Sequence, residues 1–391
     1  MLADFAQIAR MAGLAYAEAL APDEFDDALE AVSIERFLVA TDPAHDDLVV
    51  GSAAEHRFAV TVPGGAALPV PGVTWVAVAV THRRRGILRS LMDRQLRDYL
   101  DEGAPFAVLT ASEGGIYGRF GYGAAVVVRD VVVDRARTRL AEAVDATMVV
   151  VATVDEARAV LPDLHRRWCA QTPGAVSRSD IWWKQFFADP VSSRDGMSER
   201  HFLLHPEGYV GFRIRDGAHQ PIVSIRDDAI VSPAARAALW QVLLAFDLYT
   251  SIETSRLPLD DPLPLLLTDP RRVETTSVRD GMWLRLLDVE TALAARTYGA
   301  EVDVVLEVID PLVGDGRYRV RGGPDGATCA RTDAMPDLSI GVAALGSAYL
   351  GGHRLGQLAR AGRAEARDPG GLDRLDRAFL ADRSPAHGTS F

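Results

Sequence analysis

Residues 73–88 read VTWVAVAVTHRRRGIL, and residues 109–123 read LTASEGGIYGRFGYG. The first stretch opens on eight nearly continuous apolar residues, 73–80, many of them β-branched, the pattern of a strand buried on both faces. It breaks at Thr81, and Arg83, Arg84 and Arg85 lead to Gly86. Apolar residues then recur at Ile87, Leu88, Leu91, Met92, Leu96, Tyr99 and Leu100, with Arg89, Asp93, Arg94, Arg97 and Asp98 between them, which is helical spacing. A second buried strand is predicted over 106–111. The segment 112–115 (SEGG) makes a tight loop, 116–120 fits only a short helix, and a long strand follows over 124–133. Strand, basic loop, helix, strand, short helix, strand is an α/β arrangement.

The basic loop decides what such a domain could hold. Backbone N–H groups at a helix start are unpaired, the helix dipole favours an anion there, and Gly86 lets a phosphate approach the backbone. A solvated basic turn reads the same in isolation. Its position between buried strand and helix, in a chain of net charge −12, favours a phosphate or pyrophosphate site. No GxxxxGK(S/T) is present and no GxGxxG follows a strand, so neither a P-loop nor a dinucleotide-binding Rossmann site is read.

The chain has 391 residues, 48% hydrophobic and 25% charged, enough for two or three folded domains. Its acidity argues against general nucleic-acid binding and suits small cationic substrates. Two distant cysteines, Cys169 and Cys329, exclude a disulfide framework and a cysteine-rich zinc site; two core thiols in a reducing compartment are expected. No signal peptide or membrane span is read, so a cytoplasmic protein is the expectation. His201 and His205 lie in a strand reading without a third ligand, and no metal is expected.

Outward from the central stretch, helices are predicted over 4–20 and 24–30, and strands over 49–54 and 55–62. The segments 63–65 and 69–72 read as turns. The middle region repeats the α/β pattern. It has a strand over 147–154, helices over 156–160, 164–171 and 180–188, a hairpin over 200–213, a strand over 220–225, and strands near Ile252 and Trp283. Ser232-Pro233 starts a helix running to about 249. The aromatic run Trp182, Trp183, Phe186 and Phe187 reads as a helix packed into a core or a subunit contact. The remainder holds a helix over 289–296, strands over 302–309, 317–321 and 327–331, and helices over 339–350, 353–361 and 372–380. Residues 361–367 read as an exposed helix or loop.

The two quoted stretches together resemble the Eis (enhanced intracellular survival) family of GCN5-related N-acetyltransferases, the GNAT superfamily. Arg83 to Leu88 resembles the superfamily's R/Q-x-x-G-x-G/A motif, with Leu88 in place of the final small residue. The more specific second block and the later segments LLHPEGYVGFRIRD, DPLPLLLTDPR, DGMWLRLLDV and LGSAYLGGHR extend the resemblance over nearly the whole chain. It implies an α+β fold of mixed sheets: a catalytic GNAT domain over 1–143, a degenerate second one over 144–286, and a sterol-carrier-protein-2-like domain over 287–391. The middle region has no basic R-x-x-G turn and no equivalent of Tyr117.

The resemblance also implies roles. Val76, Ala77 and Val78 offer backbone groups to the pantetheine arm of acetyl-CoA. Arg84, Arg85, Gly86, Ile87, Leu88 and Arg89 wrap its pyrophosphate, and Ser112 and Glu113 lie near it. Tyr117 stands at the general-acid position and the carboxylate of Phe391 at the general-base position. Trp75, Tyr16 and Glu18 are implied for the substrate cleft; Glu18 with Asp23, Glu24, Asp26, Asp27 and Glu30 clusters near where the cleft's wall would lie, and solvated helix faces account for that cluster equally well. These types suit the reaction. An ammonium with a pKa near ~10 must lose a proton before attacking a thioester, the departing thiolate needs one, and a backbone N–H can hold the developing oxyanion. Read without the resemblance, Tyr117 and Tyr122 are core aromatics and Phe391 a frayed end; with it, Tyr122 alone stays a core aromatic. The expected activity is acetylation of primary amines on polycationic substrates such as aminoglycosides, at several positions. Polyamine or protein-lysine acetylation and a non-catalytic acyl-CoA or lipid sensor are the alternatives. A homo-hexamer is implied by kinship, and Ser390 stands where the aminoglycoside-modifying relatives carry an acidic residue.

Overall fold

The computed structural model describes residues 2–17, 25–32, 34–216 and 221–391. They divide into two compact units: Met1–Ala125 with Met282–Asp382 and Ser390–Phe391, and Val126–Gly281 with Arg383–Thr389. The chain begins with α1 (Leu2–Tyr16), α2 (Phe25–Ala31), β1 (Leu38–Asp42), β2 (Leu48–Thr61), β3 (Ala67–Val78), α3 (Ile87–Asp101) and β4 (Phe106–Leu109). A 3₁₀ turn, Tyr117–Phe120, precedes β5 (Gly123–Asp134), within which the chain passes from the first unit to the second. There follow β6 (Val150–Ala152), α4 (Val154–Cys169), α5 (Asp180–Ala188), β7 (His201–His205), β8 (Gly208–Arg215) and β9 (Ile222–Ile230). Next come α6 (Pro233–Leu244), β10 (Ser251–Pro258), α7 (Leu263–Leu266) and β11 (Val273–Leu286), in which the chain returns. The rest comprises α8 (Val289–Ala295), β12 (Val302–Ile309), β13 (Gly316–Gly323), β14 (Gly326–Arg331), β15 (Leu338–Gly341), α9 (Val342–Tyr349), α10 (Leu355–Arg360), β16 (Ala364–Ala366) and α11 (Pro369–Phe379).

In the first unit β1, β2 and β3 are antiparallel neighbours, β3 and β4 are parallel across α3, and the end of β11 closes on β4 antiparallel. Leu91, Met92, Leu96 and Tyr99 of α3 bury one face of that helix, as their spacing requires. A second sheet in this unit runs β14-β13-β12-β15-β16. The links between the β1–β4 sheet and this C-terminal part include three polar ones. Leu287 N donates to Pro105 O (2.9 Å), Thr297 N donates to Pro63 O (2.8 Å), and the fully buried Arg285 is held bidentately by Asp310 (2.9 and 3.0 Å). Arg285 also donates through Nε to Phe120 O (2.8 Å), so the Tyr117–Phe120 turn is fixed to the same ion pair. Nearby in the C-terminal core, Arg296 is buried without a carboxylate. It donates to the carbonyls of Thr297, Tyr349 and Phe379 and lies against the rings of Tyr298, Tyr349 and Phe379.

The second unit repeats the pairing pattern of the first. β7, β8 and β9 are antiparallel neighbours, β9 and β10 are parallel across α6, and β5 closes on β10 antiparallel. Trp183 and Phe187 are buried in one core with Ala157, Leu161, Leu164, Phe202 and Tyr209, as read for the aromatic run. Residues 383–389 are held in this unit. Val176 N donates to His387 O (3.0 Å), Ala386 N to Pro173 O (2.9 Å), and Arg178 Nη2 to Gly388 O (3.1 Å).

Several expectations for single elements change. Residues 48–61 form one strand where two were read. Glu55, which marked the break, is buried and paired with Arg36 and Arg57 (2.9 and 2.5 Å), so the strand runs through it. Pro69 and Pro71, read as a turn, lie inside β3. They share one parity, so both missing donors face one side of the strand, and pairing with β4 begins only at Gly72. Helices 156–160 and 164–171 are one helix despite Pro162: a Thr153–Glu156 capping box fixes its start and a continuous buried face outweighs the proline. Residues 338–341 are a strand, parallel to β12, and 364–366 a short strand on its other side. The first helix ends at Tyr16, and residues 18–24, including Glu18, Asp23 and Glu24, lie outside the described residues. Both cysteines are free, and among the described residues no helix is long and apolar enough to cross a membrane.

Candidate active site

The site begins with a fault in β3. Pairing with β2 shifts register between Ser52 and Ala54, opposite Trp75 and Val76, and Trp75 sits at φ +52°. A non-glycine residue in that region is strained and marks a bulge. Side chains take up the carbonyls that the bulge frees. Ser52 Oγ donates to Trp75 O (2.7 Å), Tyr16 OH donates to Val76 O (2.6 Å), and Gln95 Nε2 from α3 donates to Ala54 O (3.0 Å). On its other side β3 pairs with β4 only at Gly72 and Val73, opposite Val108 and Leu109. Beyond Val73 the two parallel strands part. Val76, Ala77 and Val78 therefore lie on a stretch of main chain that β4 does not cover.

The same strand runs into the basic loop. Arg83, Arg84, Arg85, Gly86 and Arg89 are exposed; Ile87 and Leu88 are half-buried at the start of α3. Gly86 caps α3 at φ +84° and makes no side-chain cap, so the first-turn N–H groups stay open. A Cβ at Gly86 would meet nothing within 4 Å, so the glycine serves its left-handed backbone and not a close contact within the chain. Arg84 shares that conformation (φ +65°). A parted strand, an uncapped helix start and exposed guanidiniums suit an extended amide chain ending in phosphates.

Tyr117 opens the 3₁₀ turn after β4 and is 6% exposed. Burial, with the Glu113 charge nearby, pushes its phenol up to about 12. Its ring meets Tyr122 edge-on at 6.1 Å, and Tyr122 is wholly buried, as read. Ser112 and Glu113 are exposed on the loop between β4 and that turn. Phe391 is half-buried. Its ring packs on Phe58 (4.8 Å) and His56 (6.4 Å) and lies over Gly72, where a Cβ would approach it to 2.9 Å. Thr110 Oγ1 donates to a main-chain carboxyl oxygen of Phe391 (2.5 Å). Thr110 follows Leu109, the last β4 residue paired with β3, so this carboxyl lies where the strands begin to part. Sequence reasoning missed Thr110, although it stands inside the quoted LTASEGG block; Ser52 and Gln95 carried no signal.

The readings for the substrate side fare differently. Trp75 packs against Phe5 (5.4 Å) and Phe37 (6.1 Å) and joins a cluster with Ile8, Met11, Ala12, Val49 and Ala77. Tyr16 keeps a partly exposed ring while its hydroxyl serves the bulge. Asp27 and Glu30 belong to α2.

The second unit shows what the same scaffold looks like without an open helix start. α6, the counterpart of α3, begins with Ser232, whose Oγ accepts from Ala235 N (3.2 Å), and with Pro233, which has no N–H. β9 and β10 stay paired over four positions, from Ile222 opposite Ser251 to Ile225 opposite Thr254.

This arrangement is that of an acetyltransferase of the GNAT class. The acetyltransferase (GNAT) domain families match residues 2–125 and 174–286, and the sterol carrier protein domain family matches 289–388, the order the resemblance implied. Within that class the chain belongs to the Eis N-acetyltransferase family. It is 40% identical to N-acetyltransferase Eis of Mycobacterium tuberculosis over 342 residues, covering 85% of this chain and 84% of that one. An uncharacterized N-acetyltransferase of Streptomyces avermitilis is also 40% identical, over 87% and 86% of the two chains. The crystal structure of Eis1 from Mycobacterium abscessus superposes with a TM-score of 0.90 at 35% identity, covering 100% of this chain and 98% of that one.

Proposed function

We propose that this N-acetyltransferase uses acetyl-CoA to acetylate primary amines of polycationic substrates, aminoglycosides first among them, at more than one position. Supporting this reading is the meeting, at one place, of the parted strands and the Phe391 carboxyl held by Thr110. The thioester supplies an acetyl group at the acyl-transfer level. Val76, Ala77 and Val78 align its pantetheine arm through backbone groups, and a main-chain N–H of this stretch faces the charge that develops on the carbonyl oxygen. Arg84, Arg85, Gly86, Ile87, Leu88 and Arg89 hold the pyrophosphate, with Ser112 and Glu113 beside the cofactor. The Phe391 carboxylate takes the proton that the attacking ammonium must lose, and Tyr117, protonated at neutral pH, gives one to the departing thiolate. Trp75, Tyr16 and Glu18 line the acceptor side. In this reading residues 1–143 carry catalysis, 144–286 support it, 287–391 complete the site through Phe391, and six copies assemble.

The test is acetyl-CoA-dependent thiol release with kanamycin, spermidine and a lysine peptide as acceptors, beside a control lacking acceptor. Release with kanamycin beyond one acetyl group per molecule is the expected outcome. A preference for spermidine or peptide would move the substrate class, and acceptor-independent silence despite tight acetyl-CoA binding would favour a sensor. Extending the chain past Phe391 by a few residues is expected to lower kcat at least ~100-fold, the scale of a lost general base, with acetyl-CoA affinity retained. A fully active extended protein would remove this carboxylate from the reaction.

A further inference from the structure

The loop carrying Arg83, Arg84 and Arg85 poses a physical problem. Arg84 and Gly86 both take left-handed backbone, and all four residues 83–86 are exposed, so packing does little to hold the loop in shape. A left-handed backbone is unfavourable for a non-glycine residue unless its surroundings compensate. The restraint lies at the root of the loop. His82 Nε2 donates to Asp42 Oδ2 (3.1 Å), at the end of edge strand β1. The same oxygen accepts from His45 Nδ1 (2.8 Å), while Asp42 Oδ1 accepts from Ala44 N (3.0 Å) and caps the short helix Pro43–His45. The His82 side chain is 11% exposed and that of Asp42 18%. With Nε2 carrying the proton, Nδ1 accepts from the hydroxyl of Thr81 (2.8 Å), so a neutral imidazole satisfies the whole network. Arg85 Nη2 donates to Thr81 O (3.3 Å), tying the third arginine of the loop to the same root. The charged and titratable groups around the ring are thus Asp42, His45 and Arg85. The two imidazole donors and the Ala44 amide hold the Asp42 carboxyl well below the usual carboxylate range, ionised throughout the working pH range.

We infer that His82, held by Asp42 and oriented by Thr81, is a positioning residue that sets the phosphate-binding shape of the 83–86 loop. The inference rests on the proposed use of acetyl-CoA and adds the device that keeps the loop ready for its pyrophosphate. His82 touches neither the acetyl group nor the amine. Its removal acts only on the part of the substrate that the loop holds.

The experiment compares the wild-type protein with His82→Ala, His82→Gln and Asp42→Asn, and with Arg97→Ala on the exposed side of α3 as a control. Acetyl-CoA and S-acetyl-pantetheine, which lacks the phosphates, serve as donors, and acetyl-CoA binding is read by calorimetry. Losing a hydrogen bond to a charged group is expected to raise the acetyl-CoA KM of His82→Ala about tenfold, with kcat near the wild-type value. Glutamine, which can donate to Asp42 and accept from Thr81, is expected to recover most of that loss. With acetyl-pantetheine all the proteins are expected to be alike. Equal acetyl-CoA affinity in wild type and His82→Ala overturns the inference, as does an equal loss with both donors. Failure of the wild-type protein to bind acetyl-CoA overturns the underlying reading instead. Melting temperatures within a few degrees show that the variants are folded, and His82→Gln keeps the test valid should alanine not be tolerated.

Discussion

Tyr117 carries its proton under all ordinary conditions. Burial raises the folded-state pKa to about 12, so the phenol is protonated below that value and deprotonates only as pH rises through it. The rate should therefore show no alkaline fall from this group between pH 6 and 9; a limb in that range would belong to the amine or to another residue. Tyr117→Phe keeps the ring against Tyr122 and removes the proton. Its kcat is expected to fall at least ~100-fold while calorimetric acetyl-CoA binding is unchanged, and an undiminished kcat would end the acid assignment. At this scale the sequence was informative where chemistry is concentrated in consecutive residues. The local form of Arg83 to Gly86 and of Ser112 to Tyr117, a basic loop before a helix and a tight loop before a short helical turn, was legible because consecutive residues make it. The left-handed backbone of Trp75 and the bond from Thr110 to a residue 281 positions away were not, because their partners come from other elements.

The elements fit through small residues whose need for space shows only in three dimensions. Gly123 opens β5 against α9: a Cβ there would collide with Ala343 O and approach Ser347 N to 2.8 Å. Gly346, on the same helix, faces Leu284 O of β11 as closely. Gly123→Ala is therefore an overpacking change against backbone, and it is expected to lower unfolding free energy by about 3 kcal/mol or more, read from a urea titration. An unchanged midpoint would mean that α9 does not lie on this strand. The sequence showed Gly123 only as the residue just ahead of the strand read over 124–133. Periodicity did place β3, α3, β4, β5 and α5. It failed where a tertiary contact overrides a local signal, as with the arginine-paired Glu55 inside β2, prolines inside β3 and Pro162 inside α4.

Across the whole molecule, burial lowers four imidazoles among the described residues, those of His56, His165, His353 and His387. Burial holds His56 down to about 4 and His165 and His387 to about 3, with Arg178 and Arg256 adding to the effect on the latter two. An unfolded histidine titrates near ~6.5, so below that pH the unfolded chain binds protons that the folded chain refuses. Stability is accordingly full above pH 6.5 and is lost as pH falls toward 4. The melting temperature is expected to drop by about 5–10 °C between pH 7 and 5; Asp228, its carboxyl raised by burial to about 6, partly offsets the fall by taking up a proton in the folded state, while Asp227, held at about 2, does not yet titrate. A flat profile over that interval would show that these rings are solvated in solution. No single stretch of sequence announces this acid sensitivity, since each histidine is buried by residues distant in the chain.

The first unit is assembled from both ends of the chain, and this bears on how the protein is made. A ribosome releases residues up to 125 and then about 160 more before Met282, Arg285 and the β11 end that closes on β4 emerge. At 5–20 residues per second that interval is about 8–30 s. By its end all of the second unit but its last seven residues has been made, while the β11 end that pairs with β4 has only begun to follow. Closure of the first unit therefore waits on residues made after nearly the whole of the second.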